Sequence, residues 1–316
     1  MSILSTSMLT ADLRKELETN FTKESFKFCS SIDEAKPYLK DAEILITLGE
    51  DLTAQDIEEA KTLKWIMIIS AGMDLMPFEA IHDKGILVTN AKGIHKKPMA
   101  EYTMSMILQY ARKSDVLKEQ ERMKHWNRKV EMTEINQQSI GVLGAGAIGQ
   151  EIARLSKAFG LQTIGLNKNG LQVDYIDKTV TKNNLDFLLK KVDYVVSVLP
   201  ATRETHHFIS QKAFKTMKKD AVFINIGRGQ TLNEEALINA LHNGEIAHAI
   251  LDVFDQEPLP EDHPFWEMDN VTVTPHISGI SSYYLPRAMD IFKQNLKIYR
   301  KGDNRFINQI DVKRGY

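Results

Sequence analysis

Short apolar runs alternate with amphipathic stretches through the N-terminal part of the chain. The apolar runs lie at residues 3–4, 26–29, 44–48, 65–69 and 86–89, and the amphipathic stretches span residues 11–20, 32–39, 53–63 and 77–83. Thr10, Ser31 and Thr53 stand at the start of three of these stretches, where a hydroxyl side chain can cap a helix. This alternation predicts a parallel β-sheet with helices on both of its faces.

A second series of the same kind follows a longer helical pattern. That pattern runs from Pro98, which suits a first helical turn, to about residue 125. After a polar stretch, apolar runs predict strands at residues 140–143, 163–166, 192–198, 221–225, 249–253 and 271–274, and residues 283–300 are again helical. We therefore expect an α/β fold with two doubly wound parallel-sheet domains, joined by the long helix, and a C-terminal helix that returns to the first domain.

Composition excludes several classes of protein. A net charge of -2 over 316 residues gives no electrostatic basis for binding nucleic acid or an anionic membrane. The single cysteine, Cys29, cannot form an internal disulfide, which fits a reducing compartment. The N-terminal residues do not resemble a signal peptide, and no apolar run approaches the roughly 20 residues that span a bilayer. We therefore expect a soluble cytoplasmic protein.

A glycine loop follows the strand predicted at residues 140–143. Gly144, Gly146 and Gly149 form a Gly-x-Gly-x-x-Gly pattern between that strand and a helix, which is the setting of a dinucleotide-binding loop. In such a loop the first glycine permits the tight turn, the second lets the backbone approach the pyrophosphate, and the third allows close packing of helix and strand. A structural glycine turn and the similar loop of methyltransferases remain alternatives.

The end of the next strand bears on which dinucleotide would bind. An acidic residue usually stands there in NAD-selective sites and bonds the ribose hydroxyls, but this chain has Asn167 followed by Lys168. Because no carboxylate repels a 2′-phosphate and a cation lies nearby, we slightly favour NADP over NAD. The alternative is that Asn167 and Lys168 are turn residues with little influence on selectivity.

Three residues that could take part in a reaction lie just beyond later strands. Arg228 stands between two glycines, Glu257 precedes a proline in a loop, and His276 follows Pro275. A cation, a carboxylate and an imidazole at strand ends could bind an acid substrate and move a proton. Taken singly, each could instead be a surface charge, a turn residue or a loop histidine. No metal site is expected, because the adjacent pair His206 and His207 would diverge rather than share an ion.

The order of these motifs resembles the D-isomer-specific 2-hydroxyacid dehydrogenase family, which includes glyoxylate/hydroxypyruvate reductases. The resemblance covers nearly the whole chain. It rests on the glycine loop and on Asn-Ile-Gly-Arg-Gly at 225–229, Leu-Asp-Val-Phe-x-x-Glu-Pro at 251–258, Thr-Pro-His-x-x-Gly at 274–279, Leu-Pro-Ala-Thr-x-x-Thr at 199–205, Val-Thr-Asn at 88–90, Ala-Glu-Tyr at 100–102 and His-Pro-Phe-Trp at 263–266.

The resemblance implies a role for each catalytic residue. Arg228 would grip the oxygens of a 2-oxo acid, His276 would supply the proton that the carbonyl oxygen takes up, and Glu257 would hydrogen-bond His276 and fix its tautomer. The backbone turn at Ala71, Gly72 and Met73 would bind the substrate carboxylate. The activity implied is NAD(P)-dependent reduction of a small 2-oxo acid to a D-2-hydroxy acid by hydride transfer.

The resemblance also implies a domain plan, a set of cofactor contacts and an assembly. A Rossmann cofactor domain of residues 98–283 would be inserted in a flavodoxin-like substrate domain of residues 1–97 and 284–316, and the protein would form a homodimer. The implied cofactor-binding residues are Gly144, Gly146, Ala147, Ile148, Gly149, Asn167, Lys168, Leu199, Pro200, Thr205, Ile226, Gly227, Asp252, which would hold the nicotinamide carboxamide, and Gly279. Because the sequence ends at Tyr316, we also expect no C-terminal regulatory domain.

Two other functions remain open at this point. A dinucleotide-sensing binding protein of the same fold would bind cofactor and a partner without significant turnover. A methyltransferase would use the glycine loop for S-adenosylmethionine, but it would not need the order of arginine, glutamate and histidine.

Overall fold

The structure is a computed structural model that describes residues 1–70, 73 and 75–313. The strands are β1 Ser2–Ser5, β2 Ser25–Phe28, β3 Ile44–Thr47, β4 Trp65–Ile68, β5 Leu87–Asn90, β6 Ser139–Leu143, β7 Gln162–Leu166, β8 Lys178–Val180, β9 Tyr194–Ser197, β10 Val222–Asn225, β11 His248–Leu251 and β12 Val271–Val273. The α-helices are α1 Ala11–Asn20, α2 Ile32–Leu39, α3 Ala54–Glu59, α4 Phe78–Asp83, α5 Lys96–Ala111, α6 Ser114–Arg122, α7 Ala147–Ala158, α8 Leu185–Lys191, α9 Gln211–Thr216, α10 Glu234–His242 and α11 Tyr284–Arg300.

These elements form two units along the chain. One comprises Met1–Ile94 together with the C-terminal segment from Ser281, and the other comprises His95–Ile280. Each boundary lies three residues before the one expected from the sequence, at 94 against 97 and at 280 against 283.

The first unit is built on a five-stranded sheet in the order β2-β1-β3-β4-β5, with every pair parallel. This is the flavodoxin-like order. Alternate residues of β3 point to opposite faces, so that Ile44 and Ile46 join one apolar cluster and Leu45 joins another. Helices therefore cover both faces. On one face, Trp65 packs against Phe292 of α11 at a ring distance of 5.3 Å, which joins the C-terminal helix to this sheet.

The helices of this unit begin where the sequence predicts. The hydroxyl of Thr10 accepts a hydrogen bond from the amide of Leu13, and that of Ser31 accepts one from the amide of Glu34. Thr53 and Asp56 form a reciprocal capping box at the start of α3. Each bond satisfies an amide that the first helical turn leaves without a partner.

The second unit is built on a seven-stranded parallel sheet in the order β12-β11-β10-β9-β6-β7-β8. The direction of winding reverses between β6 and β9, as in a Rossmann fold. Ile224 of β10 packs in one apolar cluster and Phe223 in another, so this sheet is also covered on both faces. The two sheets confirm the predicted fold class, a Rossmann unit inserted in a flavodoxin-like one.

Two details of the sequence prediction were wrong. The edge strand β8 was missed, because Lys178 and Thr179 interrupt any apolar run. The single long helix predicted to run from residue 98 to 125 is two helices, α5 and α6. They are separated at Lys113, whose φ of 53° is left-handed and cannot continue a helix. Within the described part of the chain, no helix combines the length and apolarity needed to cross a membrane.

Candidate active site

The candidate residues of the second unit share one position relative to the sheet. Gly144 follows the end of β6, Asn167 follows β7, Ile226 follows β10, Asp252 follows β11 and His276 lies three residues beyond β12. Because all these strands are parallel, their carboxyl ends lie along one edge of the sheet. Open α/β sheets bind their ligands at this edge, next to the point where the strand order reverses.

The glycine loop has the geometry of a phosphate cradle. Gly144 has a φ of +104°, and a Cβ atom there would lie 3.0 Å from the carbonyl oxygen of Val198. A Cβ on Gly149 would lie only 2.3 Å from the carbonyl oxygen of Gly144, whereas one on Gly146 would meet nothing within 4 Å. Gly146 therefore offers open backbone at the start of α7, where the amides of Ala147 and Ile148 begin the helix.

The strand β7 ends in a turn that uses both ends of the Asn167 side chain. Its amide nitrogen donates to the carbonyl of Leu171 at 2.8 Å, and its amide oxygen accepts from the backbone nitrogen of Gly170 at 2.7 Å. Lys168 instead extends into solvent, with its side chain 84% exposed and its Nζ 3.9 Å from Glu204. Asn167 therefore shapes the turn, and Lys168 carries the available charge.

The loop after β9 lies against two of the glycines. Leu199 is buried, and a Cβ on Gly227 would lie 2.6 Å from its carbonyl oxygen. Pro200 is exposed, and its carbonyl accepts a hydrogen bond from the hydroxyl of Thr205 at 2.5 Å. Ile226 and Gly227 are buried. Their backbone and the loop from 199 to 205 therefore lie together beside the glycine loop.

Arg228 is exposed just past the end of β10. One guanidinium nitrogen, Nη1, donates to the carbonyl of Gly227 at 2.8 Å. Gly229 must be glycine, because a Cβ there would lie 1.9 Å from the backbone of Phe254. Among the described residues, no hydrogen bond or ion pair joins Arg228 to Glu257 or His276, so the structure does not bring the cation into direct contact with the other two residues.

Glu257 and His276 form a close pair. Nδ1 of His276 lies 2.7 Å from Oε2 of Glu257, and the other carboxylate oxygen accepts from the amide of Phe254 at 3.0 Å. Their side chains are 48% and 36% exposed, for the histidine and the glutamate respectively. A carboxylate can only accept, so Nδ1 of His276 carries a proton and Nε2 is left to exchange one with a ligand.

Asp252 has contacts that the sequence does not reveal. It is completely buried, and its carboxylate accepts hydrogen bonds from the hydroxyl of Thr274 and from the amides of Ile277 and Ser278. The hydroxyl of Tyr102 in turn lies 2.6 Å from that of Thr274. Both Tyr102 and Thr274 lie within the sequence motifs, but the sequence indicates no role for either of them. Only the tertiary fold brings α5 to the end of β12.

His95 lies at the same edge, before α5. Its Nδ1 is 3.4 Å from the carbonyl oxygen of Gly279, and a Cβ on Gly279 would press on the ring at 3.0 Å. Burial lowers the pKa of His95 below its ordinary value, and the positive charge of Arg228 lowers it further, although the hydrogen bond to Gly279 opposes them. The uncharged form of the His95 ring beside Gly279 is therefore favoured.

The predicted substrate turn belongs to the first unit. Ala71 and Gly72 lie outside the described residues. Met73 is described, and its sulfur accepts a hydrogen bond from the side-chain amide of Asn90 at 3.3 Å. It also packs against the apolar cluster on one face of the five-stranded sheet.

Comparison with known proteins agrees with this arrangement. The sequence model for the NAD binding domain of D-isomer specific 2-hydroxyacid dehydrogenases matches residues 104–278. A glyoxylate/hydroxypyruvate reductase B of Yersinia enterocolitica is 32% identical, with 88% of this chain and 87% of that protein aligned. A solved D-isomer specific 2-hydroxyacid dehydrogenase family protein of Aeromonas salmonicida superposes with a TM-score of 0.88 at 30% identity, covering 98% of this chain and 99% of that one.

A further solved relative carries a bound cofactor. The D-isomer specific 2-hydroxyacid dehydrogenase of Xanthobacter autotrophicus, in complex with NADPH and MES, has a TM-score of 0.80 at 26% identity, covering 100% of this chain and 99% of that one. The parallel sheets, the glycine loop and these matches agree on one assignment. The chain belongs to the D-isomer specific 2-hydroxyacid dehydrogenase family and is an oxidoreductase that uses a nicotinamide dinucleotide.

Proposed function

We propose that the protein reduces a small 2-oxo acid to the D-2-hydroxy acid, with His276 as the proton donor. The observation that supports this most directly is the 2.7 Å contact between His276 and Glu257. While Glu257 holds Nδ1, the protonated ring can give its Nε2 proton to the carbonyl oxygen of the substrate and recover it in the reverse direction. The tautomer is fixed as well, because Nδ1 must face Glu257.

Arg228 binds the substrate oxygens in this proposal. Its guanidinium has five N–H donors, and one nitrogen is engaged by the carbonyl of Gly227. The remaining donors can contact the carboxylate and the carbonyl oxygen of a 2-oxo acid together, since the planar fork suits paired oxygens. The same positive charge stabilises the negative charge that grows on the carbonyl oxygen during reduction. The backbone amides of Ala71, Gly72 and Met73, which the family resemblance assigns to the substrate, are proposed to bind its carboxylate.

The glycine loop fits a nicotinamide dinucleotide. Gly146 leaves open space where a Cβ would stand, and the start of α7 presents amides and the positive end of a helix dipole to the pyrophosphate. The cofactor, when bound, supplies the hydride. The proposed contacts of this chain with it are Gly144, Gly146, Ala147, Ile148, Gly149, Lys168, Leu199, Pro200, Thr205, Ile226, Gly227, Asp252 and Gly279, with Asn167 shaping the turn at the ribose.

We further propose a modest preference for NADP that is set by Lys168. Asn167 uses its side-chain oxygen and one of its two N–H donors on the turn, which holds the side chain in place there. Lys168 is 84% exposed beside that turn, and its distant partner Glu204 is 72% exposed. An exposed pair of this kind is weak, so the ammonium group can move to a 2′-phosphate at little cost.

We also propose that the chain forms a homodimer through the surface around α6. None of the residues of α6 is buried. Val116 and Leu117 of this helix are 38% and 39% exposed, and beyond it Met123 and Trp126 are 68% and 92% exposed. Several exposed apolar side chains within one short stretch of chain are typical of a subunit interface. Light scattering after size exclusion tests the assembly, and a Trp126→Ser variant that stays as heavy as the wild type would contradict this interface.

The activity is tested by the loss of reduced-nicotinamide absorbance. Purified protein is given NADPH or NADH with glyoxylate, hydroxypyruvate, pyruvate and bulkier 2-oxo acids. We expect turnover by the wild type and none by a His276→Gln variant. The rates across the panel also give the substrate size and the preferred cofactor. Cofactor binding detected by fluorescence, with no turnover across the panel, would favour the alternative, a dinucleotide-sensing protein of the same fold.

A further inference from the structure

The loop that carries His276 is tied to helix α5 by a chain of hydrogen bonds. The hydroxyl of Tyr102 lies 2.6 Å from that of Thr274, and Thr274 lies 2.6 Å from Oδ1 of Asp252. The carboxylate of Asp252 then accepts from the amide of Ile277 at 2.9 Å and from that of Ser278 at 2.8 Å. These hydrogen bonds therefore connect α5, through the end of β12, to the two residues that follow His276.

The buried carboxylate of Asp252 fixes the direction of each of these hydrogen bonds. A carboxylate only accepts, so the Thr274 hydroxyl must give its single proton to Asp252. The Tyr102 hydroxyl must then be the donor to Thr274. Burial raises the pKa of Tyr102 to about 12, and the nearby negative charge of Asp252 contributes in the same direction, so this donor keeps its proton throughout the neutral range.

His276 needs such support because its backbone is unfavourable in isolation. Its φ is 53°, in the left-handed region, which is strained for a residue other than glycine. The carbonyl of Asp252 accepts from the amide of His276 at 2.9 Å, and its carboxylate holds the next two amides. One buried residue therefore fixes three consecutive residues of the loop, and its own orientation depends on Thr274.

We propose that Thr274 and Tyr102 are positioning residues that hold the loop of His276 in its reactive conformation by orienting Asp252. This rests on the proposed function of His276 as proton donor. Neither residue exchanges a proton with the substrate. Their effect is to keep the imidazole at the distance and angle from Glu257 that proton transfer requires, and a displacement of about 1 Å from such a geometry costs roughly a hundredfold in rate.

The test compares substitutions that differ only in the hydroxyl. Thr274→Val removes the hydroxyl at constant shape, and Thr274→Ser restores it. Tyr102→Phe removes the first donor, and Tyr110→Phe makes the same change on the same helix, where the ring lies instead against His248 at 5.0 Å. Two readouts are used on each full-length variant: amide hydrogen exchange of residues 274–280, and steady-state reduction of a 2-oxo acid.

The expected results follow the hydrogen-bond chain. Thr274→Val speeds exchange of the Ile277 and Ser278 amides by about tenfold or more, and lowers kcat by roughly ten- to a hundredfold. Tyr102→Phe has a smaller effect in the same direction, and Thr274→Ser and Tyr110→Phe match the wild type.

Other outcomes overturn the inference separately from the proposed function. Unchanged exchange in Thr274→Val and Tyr102→Phe shows that the loop does not need these bonds, whatever the enzyme does. Faster exchange with an unchanged kcat shows that the held conformation is not the reactive one. A wild type without turnover on any 2-oxo acid removes the proposed function, and the exchange data still decide whether the bonds hold the loop. If Thr274→Val fails to fold, Tyr102→Phe against Tyr110→Phe gives the same comparison.

Discussion

Two histidines on neighbouring strands of the seven-stranded sheet have opposite surroundings. His248 begins β11, at the amino end of the strand, where its Nε2 lies 2.9 Å from the hydroxyl of Thr272 and its ring lies 5.0 Å from that of Tyr110. His276 lies beyond the carboxyl end of β12, where it is 48% exposed and bonds the carboxylate of Glu257. One imidazole is therefore enclosed beside neutral groups, and the other is open to solvent beside a charge.

The difference shows what makes a histidine able to transfer protons. Burial lowers the pKa of His248 to about 4, and the charge of Lys113 adds to that lowering against a weaker opposing effect of Asp115. His248 is consequently neutral over the physiological range and serves the packing of the sheet. His276 has the two features that His248 lacks, which are access to a ligand and a carboxylate in contact with the ring. Sequence alone presents both simply as histidines next to strands.

Replacing each histidine with glutamine should give the largest difference in kcat between the two sites. We expect His276→Gln to lower kcat for 2-oxo acid reduction by roughly a hundred- to ten thousandfold, because the general acid is lost. His248→Gln should leave kcat within about twofold, since this ring lies at the other end of the sheet. Reduced-nicotinamide absorbance gives the rates, and cofactor fluorescence should show an unchanged Kd in both variants. Equal activity of the two variants would remove the proton-transfer role from His276.

The carboxylate partner of His276 provides the next largest effect. Glu257 uses one oxygen for His276 and the other for the amide of Phe254, so glutamine, with a single oxygen, can satisfy only one of the two donors. We expect Glu257→Gln to reduce kcat roughly ten- to a hundredfold, less than the loss of the imidazole itself.

Reduced-nicotinamide absorbance gives kcat for Glu257→Gln, and Glu261→Gln, in the same loop region, is its control. The control should retain the wild-type kcat. A Glu257→Gln variant with the wild-type kcat would mean that the reaction does not need the carboxylate beside His276.

The sequence predicts those parts of the site that depend on local pattern. Parallel strands buried on both faces give continuous apolar runs, so the ends of β6, β7 and β10 and the residues just past them could be located. The strand β11 was predicted to end at residue 253 but ends at Leu251. The glycine pattern could be interpreted because backbone geometry explains each glycine, such as the φ of +104° at Gly144. Edge strand β8, with a lysine and a threonine among its three residues, has no such run and was missed.

The parts that could not be predicted depend on contacts between distant residues. Nothing local to Asp252 indicates that its carboxylate would bond the amides of Ile277 and Ser278, because that requires β11 and β12 to be paired first. The assignment of Asp252 to the nicotinamide carboxamide remains a proposal beside this observed role. For Asn167, the sequence left a turn and a selectivity role open, and the hydrogen bonds to Gly170 and Leu171 favour the turn.

The same contrast between satisfied and open side chains gives a prediction of moderate size at the ribose end. Asn167 is satisfied within its turn, as His248 is within the sheet, whereas Lys168 is exposed. We expect Lys168→Gln to lower the NADPH/NADH ratio of kcat/KM roughly tenfold, or about 1.4 kcal/mol, because one charge-assisted contact is lost. Asn167→Asp should shift the ratio in the same direction by adding a repelling carboxylate. Lys212→Gln, on an equally exposed lysine of α9, serves as the control, and a ratio unmoved in all three variants would show that the cofactor is selected elsewhere.

The smallest expected effect concerns stability, and it tests the neutral state of His248 directly. In the folded chain this ring takes up a proton only near pH 4, whereas in the unfolded chain it does so near its ordinary pKa of 6.5. Between these values the unfolded state binds more protons, so protonation favours unfolding and the wild type loses stability as the pH falls. His248→Gln lacks this titration, and its amide can still reach the hydroxyl of Thr272. We therefore expect the Tm of the wild type to fall more steeply than that of the variant between about pH 6.5 and pH 4, and to keep a constant offset above pH 7. Parallel melting curves across the whole range would mean that His248 can be protonated in the folded protein, and that enclosure alone does not separate it from His276.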